Sequence, residues 1–244
     1  MIIAYYALHY GSDYLAYSIR SVYDHVDKIY ILYANKPSHG HTSGMVNPDN
    51  KDKLRAASLY FGDPKGKINW VDGNWTHEGQ QRDSIIPIAK SIGAKLIVVV
   101  DSDEIWDEKV LSNGITKAMA SPDRTTFAKM LTLWRSFSWA CYDEMGPVRM
   151  IRPDLQGGVH YLDGRVFHFG YARSLENIRY KISIHGHNSE WRKEWLAKFE
   201  NWPTSGNSDL HPTCVNTWNA SPFDKNLLPG FMMEHPYWGV EVIK

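Results

Sequence analysis

A chain of 244 residues, 43% hydrophobic and 22% charged, is long enough for one large domain and too apolar to stay disordered. Its 27 basic and 27 acidic residues cancel to a formal charge of zero, which excludes the global basic field of a nucleic-acid coat and leaves only a local basic groove open. Two cysteines, Cys141 and Cys214, exclude a disulfide framework and lack the paired spacing of a zinc site, so a reduced, cytoplasmic setting is expected. No apolar run approaches the roughly 20 residues that cross a bilayer, and the N-terminus lacks the layout of a signal peptide, so no integral membrane contact is expected.

Met1 to Leu8 reads as a buried strand that stops at Gly11 and Ser12. From Asp13 to His25, Leu15, Ile19 and Val22, followed by Val26, recur at helical spacing. Lys28 to Ala34 returns to strand character, and Asn35 to Asn50, rich in Pro, Ser, His, Gly and Asn, is a long loop of the kind that usually carries function. A helix over Lys51 to Phe61 and a strand over Lys67 to Val71 follow. A helix is expected from His77 to Ile92, kinked or started late by Pro87. Lys95 to Val100 is apolar without alternation, the mark of a strand covered on both faces. Strands alternating with helices imply right-handed βαβ units and a mostly parallel, Rossmann-type sheet, whose ligands bind beyond the carboxyl ends of the strands.

After a helix over Glu108 to Met119, closely spaced strand pieces at Thr125 to Trp134, Val148 to Ile151, Gly158 to Leu162 and Val166 to Phe169 suggest antiparallel additions. Helices are expected over Ser174 to Ile184 and Ser189 to Trp202, then a Pro and Asn rich tail. The expected organisation is one domain over residues 1–185 with a helical and irregular extension, 186–244, packed on it.

Asp101-Ser102-Asp103 ends the most buried strand, and in extended chain residues i and i+2 project to one side, so both carboxylates can face one cation. Hard divalent ions such as Mg²⁺ and Mn²⁺ take carboxylate oxygens and share their remaining shell with a phosphorylated substrate. The plain alternative is that Ser102 or Asp103 caps the next helix.

Leu96-Ile-Val-Val-Val-Asp101-Ser-Asp103-Glu104 resembles the strand ending in the DxD motif of GT-A glycosyltransferases, in particular those of glycosyltransferase family 2. Gly79-Gln80-Gln81-Arg82-Asp83 is similar to the helix that precedes that strand in the family, and His168-Phe169-Gly170-Tyr171-Ala172-Arg173 resembles a His-containing strand end of its members. The resemblance covers about residues 1–185. It implies a GT-A-like fold, a nucleotide-sugar donor with UDP-sugars foremost, and Mn²⁺ or Mg²⁺ bridging the diphosphate to Asp101 and Asp103, with His168 as third protein ligand. It also implies sugar transfer to an acceptor hydroxyl. Arg82, with a planar fork suited to phosphate or carboxylate, is expected at the donor together with Asp101 and Arg173. The family's Asp and Ser-x-Asp turn after the second strand is replaced by Tyr33-Ala34-Asn35-Lys36-Pro37-Ser38. There Asn35 is the candidate for a uracil or ribose edge and Tyr33 for stacking, or both are ordinary loop residues.

Inverting transfer needs a carboxylate to take the acceptor proton. Asp143, Glu144 and Asp163 are the candidates, and their spacing does not choose among them. Trp134, Trp139 and Tyr142 form either an acceptor platform or core. Lys181, His185 and His187 either contact the diphosphate or form a solvated face. The Arg192, Lys193, Lys198, Trp191, Trp195 and Trp202 set points to an interfacial helix, a base-stacking platform or packing against the sheet. A saccharide or glycan acceptor is expected from the neutral charge, with hydroxymethylated DNA as the alternative. A non-catalytic nucleotide-sugar binding module is a second class of reading. A nucleotidyltransferase is disfavoured because Ala7-Leu8-His9-Tyr10-Gly11 is not a Gly-rich phosphate loop.

Overall fold

The computed structural model describes residues 1–37, 44–144, 146–185 and 190–244. Strands β1 (Ile2–Leu8), β2 (Lys28–Ala34), β3 (Ile68–Gly73) and β4 (Leu96–Val99) are parallel and lie in the order β3-β2-β1-β4. They are joined through α1 (Ser12–Tyr23), α2 (Lys51–Ser58), and the pair α3 (Glu78–Asp83) and α4 (Ile85–Ser91). Alternate side chains leave opposite faces of each strand. Ala4, Tyr6, Ile31 and Val98 pack with Leu15, Ile19 and Val22 of α1 on one face, and Ile3, Tyr5, Leu32, Ile97 and Val99 pack with Ile85 and Ala89 of α4 on the other. Burial on both faces explains why Leu96 to Val99 shows no alternation, and each such side chain contributes about 1.5–3 kcal/mol.

The single helix expected over 77–92 is two helices meeting at Ser84. Pro87 falls in the first turn of α4, where its missing N–H would have had no intrahelical partner.

The second half contains β5 (Glu104–Ile105), α5 (Glu108–Ala120), β6 (Thr125–Trp134), β7 (Trp139–Asp143), β8 (Val148–Ile151) and β9 (Val159–Tyr171). β8 pairs antiparallel with β4 and with β6, and β7 pairs antiparallel with the rest of the same edge of β6. Two expectations are corrected. The pieces at 158–162 and 166–169 are one strand, β9, which runs parallel to β6 rather than antiparallel. The turn-like Asp163-Gly164 is absorbed as a register shift between Phe127 and Lys129, with Gly164 at a φ of 96° against Val110.

The remainder comprises α6 (Leu175–Ile184), α7 (Trp195–Glu200) and β10 (Ser221–Pro222). The helix expected from Ser189 shrinks to α7; Ser189 itself, like His187 and Ser38, lies outside the described residues. Trp195, Phe199 and Trp202 are buried with Trp134 and Tyr171, so this aromatic stripe is core and not an interfacial or stacking surface. The extension is tied to residues 1–185: β10 pairs with β7, and the Ile243 N–H donates to the Arg135 carbonyl at 2.7 Å. The result is the mixed α/β architecture, parallel in its centre with antiparallel additions, expected of a GT-A-like chain. Among the described residues no helix is long and apolar enough to cross a membrane.

Candidate functional site

The chain reverses its direction of travel across the sheet between β1 and β4, the place where α/β sheets open a crevice beyond their carboxyl ends. There a cavity of about 340 Å³ is walled by His9 and Tyr10 after β1, Arg82 of α3, Asp101 to Asp103 after β4, His168 of β9, Arg173, and Lys181 and His185 at the end of α6.

Local geometry explains how these groups converge. Gly11 turns the chain from β1 into α1 at a φ of 116°, and a Cβ there would lie 2.2 Å from Ser102 Oγ and 3.2 Å from an Arg173 nitrogen. Asp49 caps α1 from outside, accepting from the Gly11 and Ser12 N–H groups at 2.7 and 2.9 Å. The Gln81 amide donates to the Leu32 carbonyl at 2.8 Å, and the Tyr5 hydroxyl donates to the Gln81 carbonyl at 3.1 Å, which fixes α3 and aims Arg82. Gly170 leaves room at His168, because a Cβ there would sit 2.4 Å from His168 Nε2 and 2.8 Å from Lys181 Nζ.

Asp101 is held from below and from the side. The buried Arg149 donates to its Oδ2 at 2.7 Å and also to Glu104, while Arg82 lies 3.6 Å from its Oδ1. Burial pushes the Asp101 carboxyl up, but Arg149 and Arg82 outweigh it and hold it well below the usual range. Glu104, fully buried, is instead pushed up by burial to about 8 against the pull of Arg149.

Asp103 meets Arg173 at 3.2 Å, Lys181 at 4.0 Å and His168 Nε2 at 3.9 Å. Burial raises its pKa, and Lys181 and Arg173 more than compensate. Arg173, 1% exposed, is clamped by Asp13, whose other contact is the Asn177 amide at 3.1 Å. Lys181 is pulled down by burial, and its ammonium lies over the Tyr171 ring at 4.7 Å. Among the described residues it donates no hydrogen bond.

The cavity therefore holds three cations around two carboxylates. Asp101 Oδ1 and Asp103 Oδ1 accept no hydrogen bond among the described residues. His168 Nδ1 lies 3.2 Å from Thr132 Oγ1, which orients the ring and turns Nε2 toward Asp103. Burial pushes the His168 pKa down to about 4, so the imidazole is neutral at pH 7. Two carboxylate oxygens and a neutral imidazole nitrogen fit Mn²⁺ or Mg²⁺ in kind, and the missing Gly170 Cβ keeps Nε2 accessible. Arginines now occupy those carboxylates, and among the described residues no three His, Cys, Asp or Glu side chains close around an ion position.

Of the expected site residues, Asp101, Asp103, Arg82, His168 and Arg173 are brought together. Lys181 and His185 belong to the cavity and not to a solvated face. Glu144 and Asp163 are not brought there: Glu144 is exposed and paired with Lys129 at 2.6 Å and with Arg165, and Asp163, 80% exposed, is paired with Lys117. Asp143 does not line the cavity either, but the register Asp143 to Met130 and Cys141 to Thr132 to His168 sets it on the His168 face of the sheet. Its charge reaches the Tyr171 hydroxyl. Trp134 is core, Trp139 packs edge-on against Trp202, and Tyr142 lies under Arg165.

A neighbouring cavity of about 680 Å³ beyond β2 and β3 is lined by Asn35, Asn47 and Asn74, with Asp72 and Lys51. Tyr33 is buried at its base under Lys51 and is not free to stack, whereas Asn35 is exposed. Sequence reading missed Asp13 and Arg149.

No protein-family model matches the chain and no curated protein matches it. Among the solved structures similar to this chain are two of S. aureus TarS and one from Desulfovibrio desulfuricans G20. Residues 1–349 of S. aureus TarS share 10% identity, with 82% of this chain and 69% of that one covered and a TM-score of 0.43. A longer TarS structure gives 11%, 82%, 42% and 0.43. A Desulfovibrio desulfuricans G20 protein provisionally designated a nucleotide-diphospho-sugar transferase gives 12%, 63%, 64% and 0.36. At these identities and scores the likeness assigns no activity to this chain.

Proposed function

We propose that the chain is a glycosyltransferase that moves a sugar from a nucleotide-sugar donor to a hydroxyl of a saccharide or glycan. The observation that carries this reading is the convergence of Arg82, Arg173 and the Lys181 ammonium, which donates no hydrogen bond among the described residues, on one cavity floored by Asp101 and Asp103, at the switch point of a parallel sheet. A largely buried ammonium without a hydrogen-bond acceptor is costly, and an anion entering the cavity relieves that cost. A diphosphate supplies such an anion in the right place, with its nucleoside extending toward Asn35, Asn47 and Asn74 in the adjoining cavity.

In the transfer, the acceptor oxygen bonds to the anomeric carbon as the bond from that carbon to the phosphate oxygen breaks. The nucleoside diphosphate leaves with the bonding pair, and Lys181 and Arg82 meet the charge that develops on it. Asp101, Asp103 and His168 would hold Mn²⁺ or Mg²⁺, which would supply Lewis-acid stabilisation of the same leaving group. A divalent ion entering alone would sit beside Arg82, Arg173 and Lys181, so the ion and the diphosphate are expected to bind as one unit. Asp143, on the His168 face of the sheet, is the general-base candidate, since Glu144 and Asp163 point to the surface away from the cavity.

The test is a thermal-shift screen of UDP-, GDP-, dTDP- and ADP-sugars, each with Mn²⁺ and with chelator, followed by assay of nucleoside diphosphate release. The expected result is one donor that stabilises the chain with Mn²⁺ present and is slowly consumed. Binding without any turnover toward water or acceptors would favour a non-catalytic binding module, and no shift with any donor would refute the reading.

A further inference from the structure

A second cavity, of about 590 Å³, lies between α1, α2, the first turn of α6 and the C-terminal segment at Glu234 to Tyr237. The Asp13–Arg173 pair divides it from the donor cavity, with Arg173 lining one and Asp13 the other. Its chemistry is different. Tyr60 stands at its wall 68% exposed, an aromatic face held out of the core. The Tyr60 and Tyr237 hydroxyls, the Glu176 carboxylate and the Asn177 side-chain carbonyl have no hydrogen-bond partner among the described residues.

Charge restricts the occupant. Asp13 and Glu234, each paired with an arginine outside the groove, and Glu176, with no ion-pair partner among the described residues, line the groove, while its one lysine, Lys53, is committed to Asp49 at 2.7 Å and to the Pro48 carbonyl at 3.1 Å. A phosphate or an acidic sugar would meet carboxylates with no uncommitted lysine or arginine among the lining residues, so the groove does not duplicate the donor cavity. An exposed tyrosine face beside carboxylate, amide and hydroxyl groups suits a polyhydroxylated ring, with C–H bonds on the aromatic face and hydroxyls donating to the oxygens. The volume lies within the range of small-molecule sites.

We infer that this groove is a second saccharide site, taking a neutral or amino-substituted sugar. Its occupancy does not require that the chain transfer sugars, so it stands or falls separately from the proposed activity. Saturation-transfer NMR on the full chain with maltotriose, chitotriose and trigalacturonate tests it. Maltotriose or chitotriose should bind, trigalacturonate should not, and Tyr60→Ala should weaken binding by about tenfold, the worth of one ring-face contact. Tyr60 is exposed, so the variant should melt like wild type and keep its affinity for the nucleotide donor. Absence of binding by both neutral oligosaccharides, equal binding by Tyr60→Ala, or preferential binding of trigalacturonate would overturn the assignment.

Discussion

The Lys181 ammonium brings three donors into the cavity at the ends of β1 and β4, and among the described residues none has an acceptor within hydrogen-bond distance. Replacing it by Met should therefore cost binding and not folding. Lys181→Met is expected to weaken nucleotide-donor affinity at least about tenfold, as loss of a charge-assisted hydrogen bond worth about 1.5–3 kcal/mol implies, with a melting temperature equal to or above that of wild type. Calorimetry and thermal denaturation check both halves. Arg149 is the opposite case, since it bridges Asp101 and the buried Glu104. Arg149→Met should destabilise the chain by about 3 kcal/mol, the lower end for a broken buried pair, because the Asp101 and Glu104 carboxyls both lose the guanidinium that holds them. Adding Glu104→Gln should restore most of that stability in urea unfolding. Asp101 and Asp103 were legible in the sequence because they end an unbroken apolar strand. Arg149 left one faint signal, a lone charge between Val148 and Met150 in a strand-like run, and Lys181 left two readings open, since only the packing of α6 decides which side it faces.

Among the elements, the β1–α1 turn and the segment after Met232 do most to place the cavity walls. Gly11→Ala would force a Cβ into Ser102 at a backbone conformation that L-residues rarely adopt. It should destabilise the fold by about 1–3 kcal/mol and weaken donor binding as Ser102 and Arg173 shift. His235 stacks on Tyr14 of α1 at 4.5 Å. Its Nε2–H donates to the Asp13 carbonyl at 3.0 Å, and its Nδ1 accepts from the Tyr237 N–H at 3.1 Å. With both nitrogens engaged the ring has no place for a second proton, and burial pushes its pKa down from 6.5 to about 4. The unfolded chain then binds more protons between those values, so this contribution is full above pH 6.5 and is lost as pH falls toward 4. Its size is about 3 kcal/mol. Urea unfolding of wild type against His235→Gln over that range should show a shallower slope in the variant, the remainder coming from groups such as His168, whose pKa burial also lowers to about 4. The βαβ half of the chain was readable from periodicity, whereas β9 was not. Its Asp163-Gly164 reads as a turn by composition, and only pairing with β6 reveals a strand that bulges past it.

At the scale of the whole molecule, a sheet covered on both faces forms a rigid floor, and a C-terminal extension fixes the helices around it. A neutral net charge accompanies the saccharide acceptor proposed here. Transfer rate should then change little between about 50 and 200 mM salt, whereas a DNA acceptor held by several phosphate contacts would lose orders of magnitude in affinity over that interval. The most direct test of the donor cavity uses the nucleotide sugar that gives the largest thermal shift. Release of its nucleoside diphosphate is measured with Mn²⁺ and with excess chelator, in wild type, Asp103→Asn and Lys181→Met. Release in wild type with Mn²⁺, collapsing in chelator and in both variants while each still melts cooperatively, is the predicted result. Undiminished release in Asp103→Asn and Lys181→Met would contradict it, because the chemistry would then lie outside the cavity at the ends of β1 and β4.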